Sequence, residues 1–451
     1  MSAFRDPRKL SFRKLKVIPR VPERITLRNG IPCFLLEKRE LPVVQVGAFF
    51  KAGNIHDPAD KLTLSPITGN SMRMGGGGPL VGDALDEELD FIGSSLSGRI
   101  EQDHAFMDTW CLKRSLGKSV DILADVIRRP AFPEEKVELA RMQEIEWMKR
   151  RWDEPRQAAN LMFNMAVYGK DNVWGRVPLE EHARAVTLDD VRACHTRFIR
   201  PSGMILLATG DFDRAEMAKL LDGAFGDWEA GPLDVPPLQQ TRFELPGGVY
   251  LVPRDIGQAN FRMGHLGIRM DEPHYFSLRM MDMILGSGSM STRLFQDIRS
   301  RRGLAYSIWS RMAARIPDIG TFHIGGETKY ESLEEAVRVC LGHMKDIGRK
   351  PVTGKELKLA RDTFDNGYAF EFQSYWNIVW RHAWYEMWGL PQDWLFRERE
   401  RILAAGKKEI LDAAKQHLHP GKAVILVVGD PKKCRDTLAK FGEVKELPIP
   451  G

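Results

Sequence analysis

Nowhere in the 451 residues do eighteen apolar side chains follow one another, which excludes a membrane-spanning helix. The five cysteines (Cys33, Cys111, Cys194, Cys340 and Cys434) are odd in number, far apart and never spaced C-x-x-C. That pattern argues against a disulfide framework and against a thiolate metal site. No Ser/His/Asp signature, no G-x-S-x-G and no phosphate loop is present; Gly75 to Gly78 is a four-glycine turn without the Lys-Ser/Thr that a phosphate loop needs. Histidines spaced as ligands on one helix face are missing as well. His417 and His419 are two apart, His195 follows Cys194, and His104 lies in a strand-like stretch where a satisfied sheet histidine is the ordinary reading.

A large excess of one charge sign is also missing. The chain carries a net +5, and much of it sits in residues 1 to 20, where seven Lys or Arg face Asp6 alone. Such an arm can touch acidic lipid or nucleic acid, but a solvated terminus is the simpler expectation, and nucleic acid is not an expected partner. The arm lacks the apolar core of a secretory signal. As given, the chain reads as cytoplasmic, or as periplasmic if a signal peptide had been trimmed.

What is present is an ordinary globular composition, 43% hydrophobic and 28% charged, in a chain long enough for two to three domains. An Asn29-Gly30 turn between Ile25–Leu27 and Ile31–Leu36 is a hairpin signal, and Val43 to Phe50 reads as a strand. Gly247-Gly248, between Phe243–Leu245 and Val249–Val252, reads as the same device 218 residues later. Leu139-Ala140-Arg141 recurs as Leu359-Ala360-Arg361, 220 later, and Pro201 to Asp211 recurs as Pro420 to Asp430, 219 later. Three landmarks in register indicate an internal duplication.

The expected organisation is a basic arm (1–21), one lobe (22–229), a Pro-rich linker (230–240) and a second lobe (241–447). Helical spacing over 134–150, 179–198, 332–347 and 354–368, with strands at the start and end of each half, predicts α+β lobes. Each would be a mainly antiparallel or mixed sheet with helices on one face. Trp376, Trp380, Trp384 and Trp388 recur every four residues, a stripe best placed in a core or at an interface between lobes.

One stretch combines groups suited to ligand binding. In Leu285 to Ser307, LGSGSMSTRLFQDIRSRRGLAYS, Gly286, Ser287, Gly288 and Ser289 predict a turn, an amphipathic helix of about three turns follows, and Gly303 ends it ahead of a strand from Leu304. Arg299 on the helix's last turn and Tyr306 on the strand offer a guanidinium and a phenol, donors suited to a peptide carbonyl or a developing oxyanion.

The run MSTRLFQDIRSRRGLAYS resembles the second-half signature of the pitrilysin/insulinase family of zinc metallopeptidases, which includes the mitochondrial processing peptidase and paired bacterial homologues. The resemblance implies a clam-shell pair of duplicated lobes, and a substrate-binding arginine and tyrosine seven residues apart, a spacing that Arg299 and Tyr306 match. Active members carry H-x-x-E-H on a first-lobe helix, two imidazoles and a base for zinc chemistry. Here the five positions fall on Pro66, Ile67, Thr68, Gly69 and Asn70, with no imidazole and no carboxylate.

Glu146 falls near the spacing of the family's third ligand and is read as a remnant. Gly286 to Ser289 corresponds to a longer glycine-rich loop with which the family's non-catalytic subunit samples substrate. The resemblance therefore implies a chain that binds no metal itself. It would contribute Arg299 and Tyr306 in trans to a homologous H-x-x-E-H subunit that carries the zinc, around a peptide substrate. An inactive scaffold or peptide-binding homologue is the alternative.

Overall fold

The computed structural model describes residues 20–450; residues 1–19 of the basic arm lie outside the described part. In the first half β1 (Glu23–Thr26) and β2 (Pro32–Glu37) form the expected hairpin, followed by β3 (Val43–Phe50), β4 (Ser94–Ile100), β5 (Ala105–Leu112) and β6 (Met204–Gly210). They make one sheet in the order β1-β2-β6-β3-β5-β4, antiparallel except where β2 runs parallel to β6. The second half builds β7 (Gly248–Pro253), β8 (Ala259–Leu266), β9 (Ala305–Ala313), β10 (Thr321–Thr328), β11 (Val424–Gly429) and β12 (Val444–Glu446). Its order is β9-β10-β8-β11-β7-β12. From β2 onward each strand has its counterpart five places later, so β6 and β11, which carry the repeated Pro-to-Gly landmarks, are equivalent central strands.

The outermost positions break the repeat. Residues 241–247 form no strand, so Gly247-Gly248 is not the turn of a second hairpin. The edge beside β7 is taken by β12, arriving from the far end of the chain and running parallel. Both glycines have positive φ, +60° and +107°, which lets the chain swing into β7 without a preceding partner. Residues 229–247 as a whole carry neither helix nor strand.

Helices cover both faces of each sheet, not one. On β3, Val44, Val46, Ala48 and Phe50 join the core formed with the lobe's own helices, while Phe49 points to the opposite face. This is the strand period of two, with apolar residues on both sides because both sides are buried. The opposite face belongs to the other half of the chain. α1 (Leu64–Gly75) and α2 (Glu134–Arg150) stay with the first sheet, but α3 (Pro155–Tyr168) packs on β7, β8 and β11 of the second. Ala158, Ala159, Met162 and Phe163 close there against Val252, Leu266, Val424, Leu426 and Val428.

In the second half α4 (Tyr275–Asp282), α5 (Leu333–Ile347) and α6 (Gly354–Gly367) serve their own sheet, whereas α7 (Tyr375–Trp388) crosses to β2 and β6. Ile378, Val379 and Ala383 bury against Phe34, Leu36, Phe49, Ile205 and Leu207, with Trp376, Trp380 and Trp384 packed around them. The tryptophan stripe thus joins the lobes. Each fully buried aliphatic side chain in these seams is worth about 1.5–3 kcal/mol, so the exchanged helices tie the lobes together strongly. α8 (Lys407–His417) returns to the second core beside α4.

Candidate functional site

The segment matched to the metal motif forms α1. Its start is fixed by Asp57, whose carboxylate accepts from the Ser65 amide at 3.1 Å and the Ser65 hydroxyl at 2.5 Å. Pro66 sits within the first turn, where a missing N–H costs no helical hydrogen bond. Ile67, Thr68 and Gly69 are buried in the core, and Pro66 and Asn70, four residues apart, share a face that lines a cavity of about 520 Å³. Gly69 does more than lack a side chain. A Cβ there would lie 2.9 Å from the Ile100 backbone nitrogen, so β4 has closed onto α1 at the position of the missing glutamate.

The cavity holds one buried carboxylate, and it is not the one singled out from the sequence. Glu146 points to solvent, 3.8 Å from Lys149, and does not line the cavity. Glu144 does. It belongs to the inward stripe of α2 with Val137, Ala140 and Met148, and it is nearly fully buried. Burial raises its carboxyl above the ordinary range, with Arg151 opposing; burial likewise lowers the Arg151 guanidinium to about 10. Arg176 is already engaged, donating to the backbone oxygens of Asp57, Asn54 and Ile55 at 3.0–3.1 Å. Glu144 with Pro66, Gly69 and Asn70 supplies one ligand atom set where catalytic zinc takes three side chains, so these residues do not fit the metal.

Glu144 was legible in principle. It interrupts an otherwise apolar 3.6-residue stripe, which is the usual sign of a carboxylate turned inward.

The second-half stretch departs from a plain turn and helix. α4 runs on through a π-helical turn at Met283–Ser287, so Gly286 and Ser287 belong to the helix end, not to a loop. A Cβ on Gly286 would meet the Ser310 nitrogen at 2.5 Å, which explains the glycine as close packing on β9. Gly286, Ser287 and Gly288 border a cavity of about 1340 Å³ between the lobes, walled also by Tyr275, Arg279, Asp282 and Trp380. Ser289 lies outside it, its hydroxyl accepting from the Ser291 amide at 3.1 Å.

The next helix is also π-helical at Phe295–Arg301, and the Arg302 amide reaches back five residues to the Asp297 carbonyl. Asp297 anchors it: its carboxylate accepts from Arg302 Nε at 2.9 Å and lies 2.8 Å from His343 Nε2. Burial works to raise this carboxyl, but the bonds from Arg302 and His343 prevail and hold it below the usual range. Gly303, at φ +63°, then turns the chain into β9.

On β9 the pairing with β10 slips between Ala305 and Ser307, so Tyr306 is the extra residue of a β-bulge. A bulge re-aims its side chain. Tyr306 stands 74% exposed, and the Arg299 guanidinium carbon lies 5.0 Å from its ring centroid and 4.8 Å from that of Phe295. The two sequence-predicted residues are therefore brought together on the surface, each on an irregularity of its element. Neither lines the first-lobe cavity or the larger one. From the exchanged α3, Arg156 reaches the same strand pair, 3.3 Å from Glu327 and 3.4 Å from the Ser307 hydroxyl.

Comparison with known proteins agrees with this anatomy. Residues 34–176 match the model of the insulinase family, peptidase family M16, and residues 185–364 match that of the peptidase M16 inactive domain. Among curated sequences, the chain is 27% identical to an uncharacterized zinc protease of Mycobacterium leprae over 63% of its length and 64% of the relative's. It is 24% identical to one of Streptomyces coelicolor over 60% of each. It thus spans less than two thirds of these relatives. The uncharacterized zinc protease YmxG of Bacillus subtilis is 22% identical over 78% of this chain and 85% of its own. A peptidase M16 inactive domain from Pseudomonas fluorescens has the same fold, with a TM-score of 0.80 at 20% identity over 91% of this chain and 98% of its own. So has a protease from Helicobacter pylori, with 0.78 at 16% over 91% and 100%.

Proposed function

The chain belongs to the M16 insulinase family of peptidases, and from that premise we propose that it is the non-catalytic member of a two-chain zinc peptidase. A homologous subunit with H-x-x-E-H brings the metal and its base. This chain contributes Arg299 and Tyr306, which grip the backbone of an extended peptide near the scissile bond.

What carries the reading is a pair of facts about the two lobes. The helix at the motif position has closed its packing where a glutamate would stand, and the Arg299–Tyr306 pair is exposed, mutually stacked and outside both the first-lobe cavity and the large inter-lobe one. An arginine and a phenol held together before substrate arrives offer preorganised donors, which cost little to orient during reaction. Exposure in the isolated chain also suits groups meant for a cleft completed by another subunit.

Reconstitution tests it. Neither chain alone is expected to cleave peptides, and mixing this chain with an H-x-x-E-H partner should restore activity. In that complex Arg299→Ala or Tyr306→Phe should lower kcat/KM by the equivalent of about 2–4 kcal/mol, the usual loss for one transition-state donor. Unchanged kcat/KM in both variants would leave the scaffold reading in its place.

A further inference from the structure

We propose that Glu272, His274 and His417 form a binding site for a zinc-class divalent ion on the second lobe, which staples the start of α4 to the end of α8. The site departs from the expectation that this chain holds no metal. It is independent of the partner's zinc and of the role given to Arg299 and Tyr306.

The two histidines are 143 apart in sequence, so the three residues are not readable as a set from spacing. His274 is the residue that begins α4, Glu272 precedes it by two, and His417 ends α8, so two packed helices bring the donors together. His274 Nδ1 lies 3.0 Å from His417 Nε2, with the imidazole planes inclined at 63°. A Glu272 carboxylate oxygen lies 3.8 Å from the first nitrogen and 3.9 Å from the second.

A bare hydrogen-bonded pair of imidazoles accounts for the first distance but not for the other two. At 3.8–3.9 Å the carboxylate bonds to neither ring, yet it stands almost equally far from both donor atoms. A triangle with these three edges has its centre about 2.1 Å from every corner, which is the bond length zinc makes to imidazole nitrogen and carboxylate oxygen. Two imidazoles and one carboxylate form a donor set for borderline divalent ions and a poor one for calcium or magnesium, which prefer oxygen. Among the described residues no other three such side chains converge in this way. Glu272 and His274 are about one third exposed, so an ion can enter and a water can complete its shell.

The consequence is mechanical. Tyr275, next to His274, donates to Glu398 at 2.8 Å and lines the large inter-lobe cavity, and α4 leads from there into the π turn at Met283–Ser287. An ion joining α4 to α8 fixes that wall.

The test uses the purified full chain, stripped with a chelator and titrated with Co²⁺, read by its visible absorption, and with Zn²⁺, read by the shift in Tm. One equivalent should bind, raise Tm, and give the spectrum of a low-coordinate N/O site. His417→Ala and Glu272→Gln should each weaken binding by at least about tenfold, and Glu144→Gln, in the first-lobe cavity, should leave it unchanged. Glu272→Gln is nearly isosteric, so it remains decisive if the histidine variant fails to fold. Absence of uptake, uptake indifferent to the second-lobe variants, or uptake lost in Glu144→Gln overturns the site. None of these outcomes touches the reconstitution result, and loss of the Arg299 effect in the complex does not touch this one.

Discussion

The two lobes turn the same corner in two ways. In the first, the helix Asp83–Ile92 enters β4 through Gly93 at φ +64°; in the second, Phe295–Arg301 enters β9 through Gly303 at φ +63°. The left-handed glycine is common to both. The first corner is regular, an α-helix followed by a strand in unbroken register with β5. The second has a widened π turn before the glycine and an extra residue in the strand after it. Those irregularities bring Arg299 over the Tyr306 ring, whereas the first corner leaves only an exposed Phe91 at its helix end. A duplicated fold can thus bring two hydrogen-bond donors together by locally disturbing one copy while the other stays regular.

The sharpest test of that contrast is to cut each corner. In the reconstituted complex Arg299→Ala should lower kcat/KM about 30- to 10³-fold, while Phe91→Ala, measured the same way, should leave it unchanged. Equal effects would erase the distinction between the corners.

The exchanged helices differ in a comparable way. β3 and β8 are equivalent, and where β3 offers Gly47 to Trp376 of α7, β8 offers the buried Arg262 to α3. Each stands opposite the matching leucine of its central strand, Leu207 or Leu426. Arg262 donates to Asn160 Oδ1 and to the Phe261 carbonyl, both at 2.8 Å, and its guanidinium carbon lies 5.0 Å from the Trp309 ring centroid. Burial and the nearby Arg156 lower its guanidinium to about 10. Arg262→Ala should cost about 2–4 kcal/mol, since it leaves both a void and unpaired acceptors, as read by chemical denaturation.

Gly69→Ala tests the closing of β4 onto α1. Alanine in a helix ordinarily gains up to about 1 kcal/mol over glycine, but the Ile100 backbone leaves no room for the methyl. We expect a loss of about 1–3 kcal/mol instead, and a rise in Tm would contradict the packing argument.

A further test, read against pH, concerns Asp57, at the head of the same helix. Burial raises its carboxyl to about 7, against the hydrogen bonds from Ser65 and the pull of Arg176. The folded chain therefore holds this proton more tightly than the unfolded chain does. Its contribution to stability is complete below about pH 4 and is lost as pH rises through about 7. Relative to Asp57→Asn, the wild-type Tm should fall across that window; a difference independent of pH would refute the assignment.

Periodicity and composition by themselves determined much of this protein. The hairpin at Asn29-Gly30, the strand Val43–Phe50 and the helix Glu134–Arg150 follow from local pattern, because each depends on neighbours a few residues away, and the repeat that makes β6 and β11 equivalent shows as landmarks recurring at one offset. The exchange of α3 and α7 between lobes did not, since an amphipathic helix shows which face it buries but not which sheet it covers. Nor did the parallel β12 in place of a second hairpin, the bulge under Tyr306, or the meeting of His274 with His417. Those depend on residues far apart in the chain, and only the closed packing of the core decides which of them touch.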